Sequence, residues 1–221
     1  MIGLLTDSNA QLPAELADRY GVEVVPLTVT VDGRDYLEGV DLDADAFYAH
    51  FTGDHRPQVS TSQPSPGRFV AAFDALARRG AREILAVHLG SALSGTINSA
   101  RVAAGASPVP VRIVDTGTAS FGVGCCVWEA GEALAGGASL EEAAGVAEAV
   151  ARQVGTVFTV GALDLARAGG RLRQAGDEAP EGSGGGIPVL TMDGGQMSVV
   201  GHAADLASAA DAMAAHVLAG G

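Results

Sequence analysis

The sequence predicts a two-lobed α/β fold, with a larger α/β/α lobe built on a parallel sheet and a smaller lobe of antiparallel strands and helices. Apolar strand-like runs alternate with helical patterns through the first two thirds of the chain, as in a parallel sheet. After Gly155 the pattern changes to short strands that can pair across Asp193 and Gly194, which indicates antiparallel structure. The chain has 221 residues, 48% of them hydrophobic, enough for a large core in one domain or two joined lobes. We expect the lobes to span residues 1–154 and 155–221.

Hydrophobic runs and helix-start signals define the elements of the first lobe. Ser65 followed by Pro66 is typical of a helix start, and Ser139 with Glu142 has the spacing of a capping box. The predicted strands are residues 2–6, 22–29, 83–89 and 111–115, and the predicted helices are residues 13–19, 66–79, 122–135 and 140–154.

The second lobe is predicted to contain a short strand, a hairpin and a closing helix. Residues 157–160 form the first strand, and a short helix then ends at Gly169 and Gly170. The hairpin pairs residues 187–192 with 196–200, and the last helix covers 204–218. Residues 174–186 are rich in Gly, Glu and Pro without periodicity, so we expect a surface loop there.

Charge and composition exclude several classes of protein. The formal net charge of −13 repels phosphate backbones and anionic membranes, so we expect no nucleic acid partner outside a local basic patch. No apolar run approaches the roughly 20 residues of a spanning helix, so no stable membrane insertion is expected. Met1 leads directly into a strand pattern without the features of a secretory signal, which favours the cytoplasm. Cys125 and Cys126 are adjacent and predict neither a zinc site nor a disulfide.

Hydroxyl-rich clusters stand where strands end or helices begin, the position at which open parallel sheets gather ligands. They are rich in Ser and Thr and poor in general bases. The clusters are residues 6–8, 60–66, 90–96 and 115–120.

Four strings in order resemble the DegV family: Thr-Asp-Ser near the start, Thr-Ser-Gln-Pro-Ser, Leu-Ser-Gly-Thr, and Leu-Asp-Leu-Ala-Arg-Ala-Gly-Gly-Arg-Leu. The resemblance extends from residue 1 to about residue 200. It implies a non-catalytic carrier without a cofactor, which encloses one long-chain fatty acid in an apolar tunnel between the lobes. The implied partner is the catalytic subunit of a fatty acid kinase, which uses ATP to convert the presented carboxylate to an acyl phosphate for phospholipid synthesis.

The resemblance also assigns candidate ligands for the carboxylate. Thr61 and Ser94 match the family's carboxylate ligands. A buried carboxylate needs converging donors, and hydroxyls near helix starts can supply them. Ser62 and Ser91 could donate to the same group or only cap a turn, and Gly95 would allow a close backbone approach.

The basic segment 167–173 supplies two further candidates. By resemblance, Arg171 belongs to a Gly-Gly-Arg signature near the tunnel mouth, where it could neutralise a carboxylate or an approaching phosphate. Arg167 is a second candidate, but both arginines could instead satisfy carbonyls at a helix end. Family members usually continue into a final strand and loop with a His and a Gly-rich turn. Because this sequence stops at Gly221, we expect that ligand to be missing.

Asp7 and Asp115 are interpreted as structural residues. Asp7 is expected to form a local turn or cap, and Asp115 to support the loop that carries Ser94.

Two other functions remain as alternatives. Serines at strand-to-helix turns could belong to a serine hydrolase, but Ser94 lacks a Gly-x-Ser-x-Gly elbow, and His88, the histidine near it in sequence, is expected to be core. Gly-rich turns could bind a phosphate or nucleotide, but no P-loop or dinucleotide fingerprint occurs. No metal-ligand spacing is present, so no metal is predicted.

Overall fold

The structure is a computed structural model that describes residues 1–53, 55–159, 186–193 and 196–220. It divides into two compact units, Met1–Gln153 and Val154–Gly221, and each is described by itself. The tunnel expected between the lobes therefore stays a prediction.

A four-stranded parallel sheet forms the centre of the first unit. Its strands are β1 (Ile2–Asp7), β2 (Glu23–Val25), β6 (Glu83–His88) and β7 (Val111–Asp115), in the order β2-β1-β6-β7. The two inner strands, β1 and β6, are almost wholly buried, because helices cover both faces of the sheet. The predicted parallel sheet is confirmed.

Two helix pairs cover this sheet. On one side α3 (Pro66–Arg78) packs on α4 (Thr96–Ala104), and on the other α5 (Phe121–Ala135) packs on α6 (Leu140–Ala151). A shorter helix, α1 (Ala14–Tyr20), contacts α5. The predicted capping box of α6 is present, with Ser139 and Glu142 each bonded to the other's backbone N–H.

A small antiparallel sheet in the first unit was not predicted. It contains β3 (Thr28–Val31), β4 (Arg34–Leu37) and β5 (Val59–Ser62), in the order β4-β3-β5, and the short helix α2 (Ala44–Tyr48) follows β4. The expectation of one strand over residues 22–29 is wrong. The chain leaves the parallel sheet after Val25 and joins the second sheet at Thr28, with Pro26, which has no N–H to donate to a ladder, at the break.

The second unit is an antiparallel sheet with a helix packed on it. Its strands are β8 (Thr156–Thr159), β9 (Ile187–Asp193) and β10 (Gln196–Ala203), in the order β10-β9-β8, followed by α7 (Leu206–Leu218). The antiparallel pairing of β9 with β10 is confirmed. The helix expected to end at Gly169 and Gly170 lies outside the described residues. Within the described ranges, no helix is long and apolar enough to cross a membrane.

Candidate functional site

The carboxyl ends of the parallel strands bring Asp7 and His88 together. Leu5 pairs with Ala86 across β1 and β6, so Asp7 lies level with His88 at the same edge of the sheet. The Asp7 carboxylate is fully buried and accepts three hydrogen bonds, from the Asn9 N–H at 3.1 Å, the His88 Nδ1–H at 2.8 Å and the Leu89 N–H at 3.3 Å. The local turn expected of Asp7 is present, and its bond to His88 is an additional one.

His88 is a core residue, as its sequence context predicts, but it also forms a buried hydrogen bond to Asp7 that no local sequence pattern predicted. Its ring lies edge-on to Phe69, with centroids 5.2 Å apart, and its Nε2 has no hydrogen-bond partner among the described residues. The signal was available in principle, because Asp7 and His88 end strands that were both predicted to belong to one parallel sheet.

Ser94 lies in the connection between β6 and α4, and its hydroxyl is oriented by Thr96. The Ser94 Oγ is 2.9 Å from the Thr96 Oγ1 and accepts from the Thr96 N–H at 3.3 Å. Thr96 is fully buried, whereas Ser94 is partly exposed. When the Thr96 hydroxyl donates to Ser94, the Ser94 proton is left to donate elsewhere, which suits an anionic acceptor.

Gln63 connects the segment after β5 to the start of α4. Its Nε2 donates to the Ser99 Oγ at 2.9 Å, and its amide lies where a Cβ on Gly95 would stand. A Cβ on Gly95 would come within 2.8 Å of the Gln63 Cδ. Glycine at position 95 thus leaves room for the Gln63 side chain, and the close approach to a carboxylate expected of Gly95 stays a prediction.

Thr61 and Ser62 lie in β5, a strand that is not among those predicted from the sequence. The string Val-Ser-Thr-Ser has only one apolar residue and so gives no strand periodicity. Thr61 pairs with Val29, and paired residues share a face of the sheet, so Thr61 is on the apolar face with Val29, Val31 and Val59. Ser62, one residue on, points to the opposite face.

Ser91 has different neighbours from Ser94, although both residues lie in the loop between β6 and α4. Its backbone N–H donates to the Asp115 Oδ1 at 3.1 Å, and the same oxygen accepts from the Gly117 N–H at 3.1 Å. Ser91 and Asp115 line a cavity of about 480 Å³, and Ser94 and Thr61 are not among its lining residues. Asp115 thus holds the first residues of the loop that carries Ser94, which agrees with the supporting role expected for Asp115.

Glycine is required at position 90 of the same loop. A Cβ on Gly90 would stand 2.8 Å from the carbonyl carbon of Gly117, so the two loops at this edge touch through their backbones. Arg167 and Arg171, the remaining candidates, lie outside the described residues.

The geometry gives little support to a serine hydrolase. In a catalytic triad the second histidine nitrogen bonds the serine, whereas the Nε2 of His88 bonds to no group in the described chain. The hydrogen bonds of the Ser94 Oγ among the described residues are to Thr96. Within those same ranges, no group of three or more His, Cys, Asp or Glu residues could hold a metal ion.

The parallel-sheet fold and the loops that follow β1, β6 and β7 define a class of protein. In this class of α/β proteins, hydroxyl-bearing loops surround the carboxyl end of a parallel sheet. The sequence profile of the DegV family, described as uncharacterised protein, matches residues 1–220. A DegV domain-containing protein of Streptomyces coelicolor is 38% identical over 197 residues, which cover 89% of this chain and 69% of the relative. The chain belongs to the DegV family.

Solved structures support the same assignment. A DegV family protein from Thermus thermophilus, described by its fatty acid binding, is 36% identical with a TM-score of 0.84, over 99% of this chain and 77% of that one. A stearic acid-binding protein from Eubacterium ventriosum is 25% identical with a TM-score of 0.88, over 98% of this chain and 75% of that one. The predicted fold class is therefore confirmed.

Proposed function

We propose that this chain binds a single long-chain fatty acid and presents its carboxylate to a separate ATP-dependent kinase. The structural neighbours described as fatty-acid-binding proteins support the ligand class. The observation that carries the proposal for this chain is the contact of Gln63 with Gly95, because it connects the segment after Thr61 to the loop of Ser94.

Thr61 and Ser94 donate to the carboxylate in this proposal. A carboxylate removed from water is costly unless donors replace its hydration. The Ser94 hydroxyl has a proton to donate when the Thr96 hydroxyl donates to it, and the start of α4 adds the positive end of a helix dipole. Thr61 is exposed and offers its hydroxyl from the face of β5 that it shares with Val59.

The other candidates have supporting roles. Gly95 allows Gln63 to pack against the loop. Ser62 follows Thr61 in β5 beside the head group. Ser91 holds the start of the Ser94 loop through its backbone bond to Asp115. We assign Arg171, with Arg167, to neutralising the carboxylate or the approaching phosphate.

The acyl chain supplies most of the affinity. Burial of a methylene contributes about 0.8 kcal/mol, so fifteen carbons give roughly 12 kcal/mol before the cost of ordering the ligand. The kinase then transfers the γ-phosphoryl group of ATP to a carboxylate oxygen, which yields acyl phosphate and ADP. The chain itself acts as carrier and needs no cofactor.

Mass spectrometry of the purified protein, first native and then denatured, tests the binding step. We expect one fatty acid per chain, released on denaturation. A protein that stays empty when offered long-chain fatty acids contradicts the proposal. The presentation step is tested by adding a fatty acid kinase catalytic subunit and ATP to the loaded protein and trapping acyl phosphate with hydroxylamine. A loaded protein that yields no trapped product would limit the function to lipid binding.

A further inference from the structure

The cavity beside Ser91 is lined by three arginines, and we propose that it is a second site, which binds the phosphate group of a small molecule. The cavity has a volume of about 480 Å³ and lies in the first unit, at the edge strand β7 between α4 and α6. Arg101 comes from α4, Arg112 from β7 and Arg152 from the end of α6.

Arg112 is the fixed member of this arginine cluster. Its guanidinium donates to the Glu148 Oε1 at 2.7 Å, to the Glu141 Oε2 at 3.3 Å and to the Ile113 carbonyl at 2.7 Å. These bonds neutralise Glu148, one of the two acidic residues of the lining.

Arg101 and Arg152 are the two members of the arginine cluster whose guanidinium N–H groups have no protein acceptor among the described residues. Within the described part of the chain, neither forms an ion pair or a side-chain hydrogen bond. Asp115, the second acidic residue of the lining, accepts from the Ser91 and Gly117 N–H groups. The lining therefore carries three guanidinium groups against the carboxylates of Glu148 and Asp115, and Arg101 and Arg152 are the two guanidinium groups without an ion-pair partner among the described residues.

An anion with several acceptor oxygens matches this arrangement. Guanidinium groups bind phosphate through paired hydrogen bonds, and two of them around one cavity can hold one phosphate between them. The chain carries a formal net charge of −13, so its general field repels anions, and only a local cluster can bind one. The volume lies within the range of small-molecule sites, about 300–1,000 Å³, which leaves room for a group attached to the phosphate.

This site is distinct from the proposed carboxylate site. Thr61 and Ser94 do not line the cavity, and Ser91 reaches Asp115 through its backbone. Loss of phosphate binding therefore leaves the fatty acid proposal intact, and the reverse also holds.

Isothermal titration of the full chain with inorganic phosphate, pyrophosphate, ATP and adenosine tests the proposal. The test variant is Arg101→Gln combined with Arg152→Gln. The matched control is Arg78→Gln combined with Arg82→Gln, which removes the same charge at exposed positions outside the cavity. Fatty acid retention of each variant is measured alongside.

We expect saturable binding of at least one phosphate-bearing probe, weakened about tenfold or more in the test variant and unchanged in the control. Binding of inorganic phosphate or pyrophosphate would indicate a phosphate site that needs no base, whereas binding of ATP alone would indicate a nucleotide. The proposal is overturned when no phosphate-bearing probe binds, when adenosine binds as well as ATP, or when the test variant loses no more affinity than the control.

Discussion

The side-chain amide of Gln63 lies over the α-carbon of Gly95 and fills the space that a Cβ would need there. The same amide donates to Ser99 on α4, so one side chain holds the segment after β5 against the Ser94 loop. Gly95 has ordinary backbone angles, φ −74° and ψ 6°, so the demand for glycine comes from this contact and not from backbone conformation.

Gly95→Ala should therefore displace Gln63 and break its bond to Ser99. We expect a loss of about 1 kcal/mol in the free energy of unfolding, measured by urea titration, together with weaker fatty acid retention. In a Gln63→Ala background the same substitution should cost much less, because the overlapping side chain is gone. An equal loss in the free energy of unfolding in both backgrounds would show that contact with Gln63 is not what requires glycine at position 95.

The pleat of β5 predicts different effects for neighbouring hydroxyls. Thr61→Ala should weaken fatty acid binding about tenfold or more, since a hydroxyl that donates to a charged group is removed. Ser60→Ala is the matched control, because Ser60 is exposed on the same strand and points to the opposite face. Competition with a fluorescent fatty acid measures both. A loss in Ser60→Ala as large as in Thr61→Ala would argue against this orientation.

The buried pair of Asp7 and His88 should be important for stability. Asp7→Ala leaves the His88 Nδ1–H and two backbone N–H groups without their acceptor in a fully buried site. We expect a loss of about 3 kcal/mol or more in the free energy of unfolding, because three hydrogen-bond donors lose their acceptor. Asp35→Ala, which removes an exposed carboxylate bonded to Thr30, should cost far less. Urea denaturation curves of both variants measure the difference, and similar midpoints would contradict it.

The two cysteines should react slowly in the folded protein. Burial raises the pKa of the Cys126 thiol to about 12, and burial, with a smaller effect from Glu129, raises the pKa of Cys125. A raised pKa keeps each thiol protonated at pH 8, and only the thiolate is alkylated. Iodoacetamide labelling at pH 8, followed by mass, should be slow in the native chain and should reach both cysteines in urea. Rapid native labelling of Cys126 would contradict this assignment.

Much of the first unit could be predicted from local sequence. The runs that became β1 and β6 are mostly apolar because both of their faces are covered, and that pattern is readable without any tertiary information. The cap of α6 was equally readable, because Ser139 and Glu142 bond to backbone within one turn.

The small antiparallel sheet could not be predicted in the same way. The residues of β5 are mostly hydroxylic, and their strand conformation depends on pairing with β3, about thirty residues earlier in the chain. The run 22–29 looked like one strand because apolar character alone does not show that its two ends belong to different sheets.

The sequence by itself determined the α/β class, the order of its main elements and, through four short motifs, the resemblance to a family. It did so because hydrophobic period and caps are local properties of the chain. Only the tertiary structure decided that Asp7 meets His88, that Gln63 covers Gly95, and that Arg101, Arg112 and Arg152 surround one cavity. Each of these contacts joins elements that are distant in sequence, and their distances follow from strand register and helix packing, which no local pattern contains.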